Sequence, residues 1–153
     1  MKLLKALKSE VEQAVQSGGP MHAISVCNEK APKITRQVSL DAGWDVGRTS
    51  LKLRNPKNAP DAWEKKVLQD FERRKAAGET LKTMEHHEVV EEDGKQHFRY
   101  MKAIPLFGVC VNCHGSKIKP DVSAKIYKLY PDDKARGFNP GDLRGAFTVE
   151  QPM

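Results

Sequence analysis

The sequence predicts an α+β fold in which helices flank an antiparallel β-sheet, and three observations lead to this prediction. Apolar residues recur at intervals of three and four over residues 2–38, as they do in amphipathic helices. Between residues 82 and 104 they alternate instead, and two strand-like segments flank Asp93-Gly94, a strong hairpin signal. A final alternating segment, 143–149, predicts one more strand.

Two helices are expected before the sheet. The first covers residues 2–17 and ends at Ser17-Gly18-Gly19. The second begins near Pro20, which suits a first helical turn, and ends near Val38. Residues that repeat at intervals of three and four share one face of this helix: Ile24, Cys27, Ala31, Ile34 and Val38. The pattern therefore directs Cys27 inward, and Pro32 is expected to kink the helix near it.

The middle of the chain is expected to contain a turn and a third helix. Residues 41–58 include several Gly and Pro and predict a short extended piece followed by a turn. The segment Asn58-Ala59-Pro60-Asp61 predicts the next helix start, with Asn58 as the candidate cap, and the helix should end at Gly78. Trp63 recurs with Val67 and Phe71 at four-residue steps, so we expect it in the core or against a cofactor.

The hairpin leads directly into the segment with the most chemical information. Alternation places Phe98 and Tyr100 on one face of the second strand. The opposite face receives His97, Arg99, Met101 and Ala103. After the motif described next, residues 122–130 predict a short helix stopped by Pro131, and residues 132–142 predict a loop.

The motif is Cys110-Val111-Asn112-Cys113-His114, the Cys-x-x-Cys-His attachment pattern of a c-type haem. Two thiols at this spacing form thioethers with the two vinyl groups of one haem. The histidine that follows is then held where its imidazole can ligate the iron. The sequence therefore predicts one covalent haem c on Cys110 and Cys113, with His114 as an axial ligand.

Three other interpretations of the motif are weaker. A thioredoxin-like redox pair needs a βαβ unit, and no such pattern surrounds these residues. A structural zinc site needs a second pair of ligands at close spacing, whereas only Cys27 and scattered histidines remain. A disulfide between Cys110 and Cys113 would leave His114 without a role.

The residues do not by themselves decide the second axial ligand. The candidates are Cys27, Met21, Met84, Met101, His22, His86, His87 and His97, or an open position. Helix periodicity directs only Cys27 inward, and bound iron would lower the pKa of its thiol. Arg48, Lys52 and Arg54 could pair with the haem propionates, although a solvated basic loop explains them equally well.

Charge and hydropathy limit the partners and the compartment. The chain has 26 Lys and Arg against 20 Asp and Glu, which suits a solvated surface or docking of an acidic redox partner protein. No basic run is interleaved with aromatics, so nucleic acid is not expected, and no segment is apolar enough to span a membrane. Because c-type haem is normally attached after export, we expect a periplasmic protein. The chain shown would then lack its export signal, with Met1 added to a mature form.

Four segments carry a family resemblance when they are taken in order. They are Ile24-Ser25-Val26-Cys27 with Ala31-Pro32 and Ile34, then Arg48-Thr49-Ser50-Leu51-Lys52 with Arg54-Asn55-Pro56, Asn58, Pro60 and Trp63-Glu64, then Cys110 to Gly115, and then Gly137 with Gly141-Asp142 and Arg144-Gly145. Together they resemble the single-haem c-type cytochromes with a PAS-like fold, a family that also supplies bacterial sensor modules. The resemblance implies a PAS-like sheet flanked by helices, haem c on that sheet, and Cys27 with His114 as axial ligands.

The expected organisation is a single haem-binding domain over residues 1–153, with an N-terminal helix in 1–19 and the core in 20–153. We expect one-electron redox exchange or redox sensing, because the resemblance implies a covalent haem with both axial positions filled and no substrate pocket is evident from the sequence. The alternative is a CO or NO sensor in which Cys27 leaves the iron on reduction. A peroxidase-like or reductase activity would need an open iron position and an acid–base group such as His86 or His87, so we do not expect an enzyme.

Overall fold

The computed structural model describes residues 2–153, so the expectation that Met1 was added to a mature form concerns a residue outside the described range. The elements in order are α1 (Lys2–Ala42), β1 (Asp45–Thr49), α2 (Ala62–Ala76), β2 (Glu85–Glu92), β3 (Lys95–Pro105), α3 (Val111–His114), α4 (Pro120–Leu129) and β4 (Leu143–Pro152). Short 3-10 helices cover Pro56–Asn58 and Gly108–Cys110. Within residues 2–153, no helix is long and apolar enough to cross a bilayer.

The four strands form one antiparallel sheet in the order β1-β4-β3-β2. The predicted hairpin joins β2 to β3, and its turn residues Asp93 and Gly94 have φ values of 52° and 74°. Two consecutive positive φ values are typical of the type I′ turn, which matches the twist of the flanking strands. The helices on both sides of this sheet confirm the α+β, PAS-like prediction.

Strand alternation gives the sheet two different apolar faces. On the α1 side, Val46, Phe147 and Val149 pack with Leu3, and Tyr100 and Ile104 pack against them. The α2 side has its own core, formed by Val67, Leu68, Phe71, Leu81, Met84, Met101, Ala103, Leu143 and Ala146. The two sides of β3 are therefore occupied as the alternation predicted, with Tyr100 on one side and Met101 and Ala103 on the other.

Helix α1 consists of two helical segments separated by two glycines. Gly18 (φ −156°, ψ 17°) and Gly19 (φ 69°, ψ −173°) leave the helical region, as the sequence predicted for this site. The backbone stays helical across Pro32 and continues to Ala42, beyond the predicted end near Val38. The break in the helical φ and ψ values of α1 therefore lies at the glycines, and the kink expected at Pro32 stays a prediction. We call residues 2–17 the first arm and residues 20–42 the second arm.

Helix α2 begins later than the sequence indicated. Asn58 ends the preceding 3-10 helix, and Asp61 is the capping residue. The Asp61 carboxylate accepts a hydrogen bond from the Glu64 backbone N–H at 2.7 Å, and the Glu64 carboxylate accepts one from the Asp61 N–H at 3.0 Å. This reciprocal capping box satisfies two backbone donors, which is why Asp61 replaces Asn58 as the cap.

Candidate functional site

A cavity of about 290 Å³ lies between α1, the α1 side of the sheet and the segment that contains the Cys-x-x-Cys-His motif. Its walls are mostly apolar. The first arm contributes Leu4, Leu7, Val11 and Val15, and the sheet and the following loop contribute Ile104, Leu106, Phe107 and Phe147. All four groups that the sequence singled out for haem attachment or ligation line this cavity: Cys27, Cys110, Cys113 and His114.

The two motif cysteines lie on consecutive short helical turns. Cys110 ends the 3-10 helix that starts at Gly108, and Cys113 lies in α3. A separation of three residues in helical backbone places both side chains on one side, here toward the cavity. Both thiols are half-buried and not joined in a disulfide, and burial raises the pKa of Cys113. Two thiols that face one apolar cavity are suited to thioether formation with one flat ligand.

His114 is held in one orientation by its neighbours. Its Nδ1 donates a hydrogen bond to the Ala135 carbonyl oxygen at 2.9 Å, and the Phe138 ring packs edge-on at 6.4 Å between centroids. Burial, and then the positive charges of Arg144 and Arg54, lower the pKa of His114 well below its usual value. The imidazole is therefore neutral, and because Nδ1 carries the proton, Nε2 keeps a free lone pair. This is the form of histidine that binds a metal.

Cys27 approaches the same cavity from the second arm of α1. Burial raises the pKa of its thiol, while the charges of Arg48 and Arg54 act in the opposite direction. None of the other candidates for the second axial position lines the cavity: Met21, Met84, Met101, His22, His86, His87 and His97. Met84 and Met101 are fully buried in the core on the other face of the sheet. Among the proposed ligands, the structure brings only Cys27 together with His114.

Two arginines give the cavity an unusual positive charge. Arg48 and Arg144 both line it, and burial lowers the pKa of Arg48 and lowers that of Arg144 to about 10. In the described part of the chain, neither guanidinium forms a salt bridge with a carboxylate. Arg144 donates only to neutral oxygens, the Ser50 hydroxyl at 3.0 Å and the Lys52 carbonyl at 3.2 Å. Both side chains are half-buried, and half-buried cations without an anionic partner beside an apolar cavity are costly, so they indicate a ligand that brings negative charge.

Arg54 and Trp63 differ from the roles expected for them. Arg54 also lines the cavity, but its Nε and Nη2 bind Asp133 at 3.0 and 3.2 Å, so its contact with a propionate stays a prediction. Trp63 does not line the cavity. It packs against the α2 core on the other face of the sheet, where its indole lies 4.4 Å from the Arg99 guanidinium. The interpretation of Trp63 as a cofactor contact is therefore corrected, because its four-residue spacing reflects burial within α2.

The residues present fit a haem c. A haem is a flat apolar ring with two vinyl groups, two carboxylates and an iron that takes axial ligands on both faces. The cavity offers apolar walls, two thiols at the attachment spacing, two half-buried arginines without a carboxylate partner, and a neutral imidazole with a third sulfur. Residues 2–153 contain no cluster of three or more His, Cys, Asp or Glu placed to hold a bare metal ion. The donor set therefore suits an iron porphyrin better than a structural zinc ion.

Two contributors to the site had no role assigned from the sequence. Asp133, whose side chain is fully buried, binds Arg54, Arg136 and the Ala135 backbone N–H. Arg144 belonged to a recognised segment, but its approach to the cavity was not foreseen. For Asp133 the sequence offered one weak signal of burial, because Asp132-Asp133 precedes a run in which charged Lys and Arg alternate with Ala. Nothing in that run distinguishes a buried acid from an exposed one.

Comparisons with known proteins agree with this geometry. A family model described as Tll0287-like matches residues 1–152. The chain is also similar to a solved protein, described as the cyanobacterial heme-protein Tll0287, with 31% sequence identity and a TM-score of 0.67. That similarity covers 84% of this chain and 72% of the solved chain. No curated protein matched. The match to the family model over nearly the whole length shows that the chain belongs to the Tll0287-like family.

Proposed function

We propose that this protein is a periplasmic c-type cytochrome with one covalent haem, and that it exchanges or senses single electrons. The observation that carries the proposal is that Cys110, Cys113, His114 and Cys27 line one apolar cavity. The similar solved protein is described as a heme-protein, which supports the same cofactor. When bound, the haem would supply an iron that accepts and releases one electron.

The residues of the chain would hold the haem from three directions. Cys110 and Cys113 would form the thioethers, and Arg48 and Arg144 would bind the propionates through charge-assisted hydrogen bonds. Nε2 of His114 would ligate one face of the iron, because Nδ1 is already committed to the Ala135 carbonyl. Cys27, from the second arm of α1, would ligate the other face. The apolar walls would keep water from the iron, so that both ligands stay bound during electron transfer.

The charge distribution supports an acidic redox partner. Exposed or half-exposed lysines follow the attachment motif along the chain: Lys117, Lys119, Lys125, Lys128 and Lys134. Acidic residues instead concentrate on the β2–β3 hairpin, at Glu85, Glu88, Glu91, Glu92 and Asp93. Opposite charges would steer the partner to the side of the protein that carries the motif, and high salt would slow this association.

The experiment begins with the chain produced in a periplasm that attaches c-type haem. Mass spectrometry under denaturing conditions should show the polypeptide plus one haem, and Cys110→Ser with Cys113→Ser should abolish that added mass. The ferric protein should show the low-spin absorption and EPR signature of thiolate ligation, which Cys27→Ala should remove. Met101→Leu and His22→Gln are matched controls, because neither residue lines the cavity. Colourless wild-type protein would refute the proposal, and an unchanged spectrum in Cys27→Ala would refute the axial assignment.

A second function, CO or NO sensing, is favoured by an asymmetry between the two axial ligands. His114 is anchored through Nδ1, whereas within residues 2–153 no hydrogen bond reaches Cys27 Sγ. The cysteine is therefore the ligand that a gas would replace after reduction. Mixing the reduced protein with CO distinguishes the functions. A new spectrum at equilibrium supports sensing, and an unchanged one leaves electron exchange as the function.

A further inference from the structure

Arg54 ties the attachment motif to the loop that holds His114. Its Nη2 donates to the Cys113 carbonyl at 2.6 Å and to the Ala135 carbonyl at 3.2 Å. The Ala135 oxygen is the same atom that accepts the hydrogen bond from His114 Nδ1–H at 2.9 Å. One guanidinium therefore contacts the backbone of the second attachment cysteine and the acceptor that orients the neighbouring histidine.

Asp133 fixes Arg54 in this position. Its side chain has no exposed surface, and that of Arg54 is 13% exposed. The carboxylate accepts from Arg54 Nε at 3.0 Å, from Arg136 Nε at 2.8 Å and from the Ala135 N–H at 3.0 Å. Burial alone would raise the pKa of Asp133, but the hydrogen bonds and charge of Arg54 outweigh it and lower that pKa. The carboxylate is therefore ionised and positions both Arg54 and the Ala135 backbone.

We propose that Arg54 and Asp133 are positioning residues that set how strongly His114 donates electrons to the haem iron. This inference rests on the proposed function, because it concerns the same axial histidine. A hydrogen bond from Nδ1 to an acceptor makes an imidazole a stronger donor, and partners of this kind are known to tune bound metals. Arg54 weakens that effect, since a cation that shares the Ala135 oxygen draws electron density away from it.

The two side chains should therefore act on the reduction potential with opposite signs. Removing the charge of Arg54 frees the Ala135 oxygen for His114 and takes a positive charge from the site, and both changes favour ferric iron. Removing the charge of Asp133 leaves Arg54 uncompensated, which favours ferrous iron. A pair that acted only as structural support would behave differently, because either loss would loosen the histidine and shift the potential in the same direction.

The test is spectroelectrochemical titration of the haem-loaded protein and of three variants. Arg54→Gln should lower the equilibrium constant for reduction about tenfold, which for one electron is about 59 mV. Asp133→Asn should raise that constant. Arg136→Gln is the matched control, because Arg136 binds the same carboxylate without touching the Cys113 or Ala135 carbonyl, and it should shift the potential less.

Shifts of opposite sign at Arg54 and Asp133, with a smaller one at Arg136, support the inference. Shifts of the same sign overturn it, and so does an Arg136→Gln shift as large as that of Arg54→Gln. If Asp133→Asn does not fold, the comparison of Arg54→Gln with Arg136→Gln decides alone. Failure of the proposed function is a separate result, since it would appear as wild-type protein without bound haem.

Discussion

Gly145 provides a sharp test of how β4 is built against the cavity. It pairs with Ile104 of β3 next to a bulge in the ladder, is buried, and lines the cavity. A Cβ added to Gly145 would lie 2.3 Å from the Thr49 carbonyl oxygen and 3.0 Å from the Ser50 Cβ. The first contact is with backbone, which cannot rotate away as a side chain can. We therefore predict that Gly145→Ala forces β1 and β4 apart.

The expected cost follows from that contact. Overpacking by one methyl group costs about 1–3 kcal/mol, and a backbone obstacle puts Gly145→Ala near the upper end, about 3 kcal/mol. That value corresponds to a roughly 100-fold larger unfolding constant. With a urea dependence of about 1–3 kcal/mol per molar, the midpoint should fall by about 1–3 M. Far-UV circular dichroism during urea unfolding of the haem-loaded protein measures this shift.

Gly108→Ala is the matched control for Gly145→Ala. A Cβ at Gly108 meets no atom within 4 Å, and its φ is not positive. The same chemical change should therefore alter the unfolding free energy by less than about 0.5 kcal/mol. If Gly145→Ala changed the unfolding free energy as little as Gly108→Ala, or if both variants lost the same stability, the close approach of Gly145 to Thr49 would not be a cause of destabilisation.

Two further predictions concern the sheet and its core. Leu68 is fully buried in the α2 core, so Leu68→Ala should cost about 2–5 kcal/mol in calorimetric unfolding, whereas Leu40→Ala at a 67% exposed residue should cost under about 0.5 kcal/mol. Equal losses would contradict the assignment of the core. Burial, and then the hydrogen bond to Glu85, raises the pKa of Tyr100 to about 12. This folded pKa exceeds the unfolded pKa of 10.0. The stabilisation from Tyr100 is therefore complete below pH 10.0 and is lost as the pH rises toward about 12. Tyr100→Phe should flatten the alkaline loss of stability measured by urea unfolding at about pH 9 and about pH 11. If the alkaline loss of stability had the same slope in Tyr100→Phe as in the wild type, the raised pKa of Tyr100 would be refuted.

Local sequence patterns predicted much of the fold. The Asp93-Gly94 hairpin and the break after Ser17 were both predictable, because each depends on a few adjacent residues. The approach of Cys27 to the cavity followed from helix periodicity, since one helical face must be buried. The kink expected at Pro32 stays a prediction, because helical φ and ψ values continue across it and do not report the direction of the helix axis. The start of α2 was misplaced by one short 3-10 turn, where Asp61 and not Asn58 supplies the capping carboxylate.

Contacts between distant residues were not accessible from the sequence. Arg54 and Asp133 are 79 positions apart, and neither lies in a periodic segment that would reveal burial. Trp63 had the spacing of an inward residue, but spacing does not say which face of the sheet receives it. The pairing of β1 with β4 likewise depends on three-dimensional packing, because nearly a hundred residues separate Thr49 from its partner Ala146.

The sheet separates the parts of the molecule that can be altered independently. The cavity lies on the α1 side, while Leu68, Phe71 and Met101 form a core on the α2 side. Substitutions in that second core, chosen to raise the melting temperature, should leave the optical spectrum of the bound chromophore unaltered. The same barrier allows α2 to carry labels or immobilisation tags for electrode studies, since a linker attached there would lie on the face of the sheet opposite the cavity.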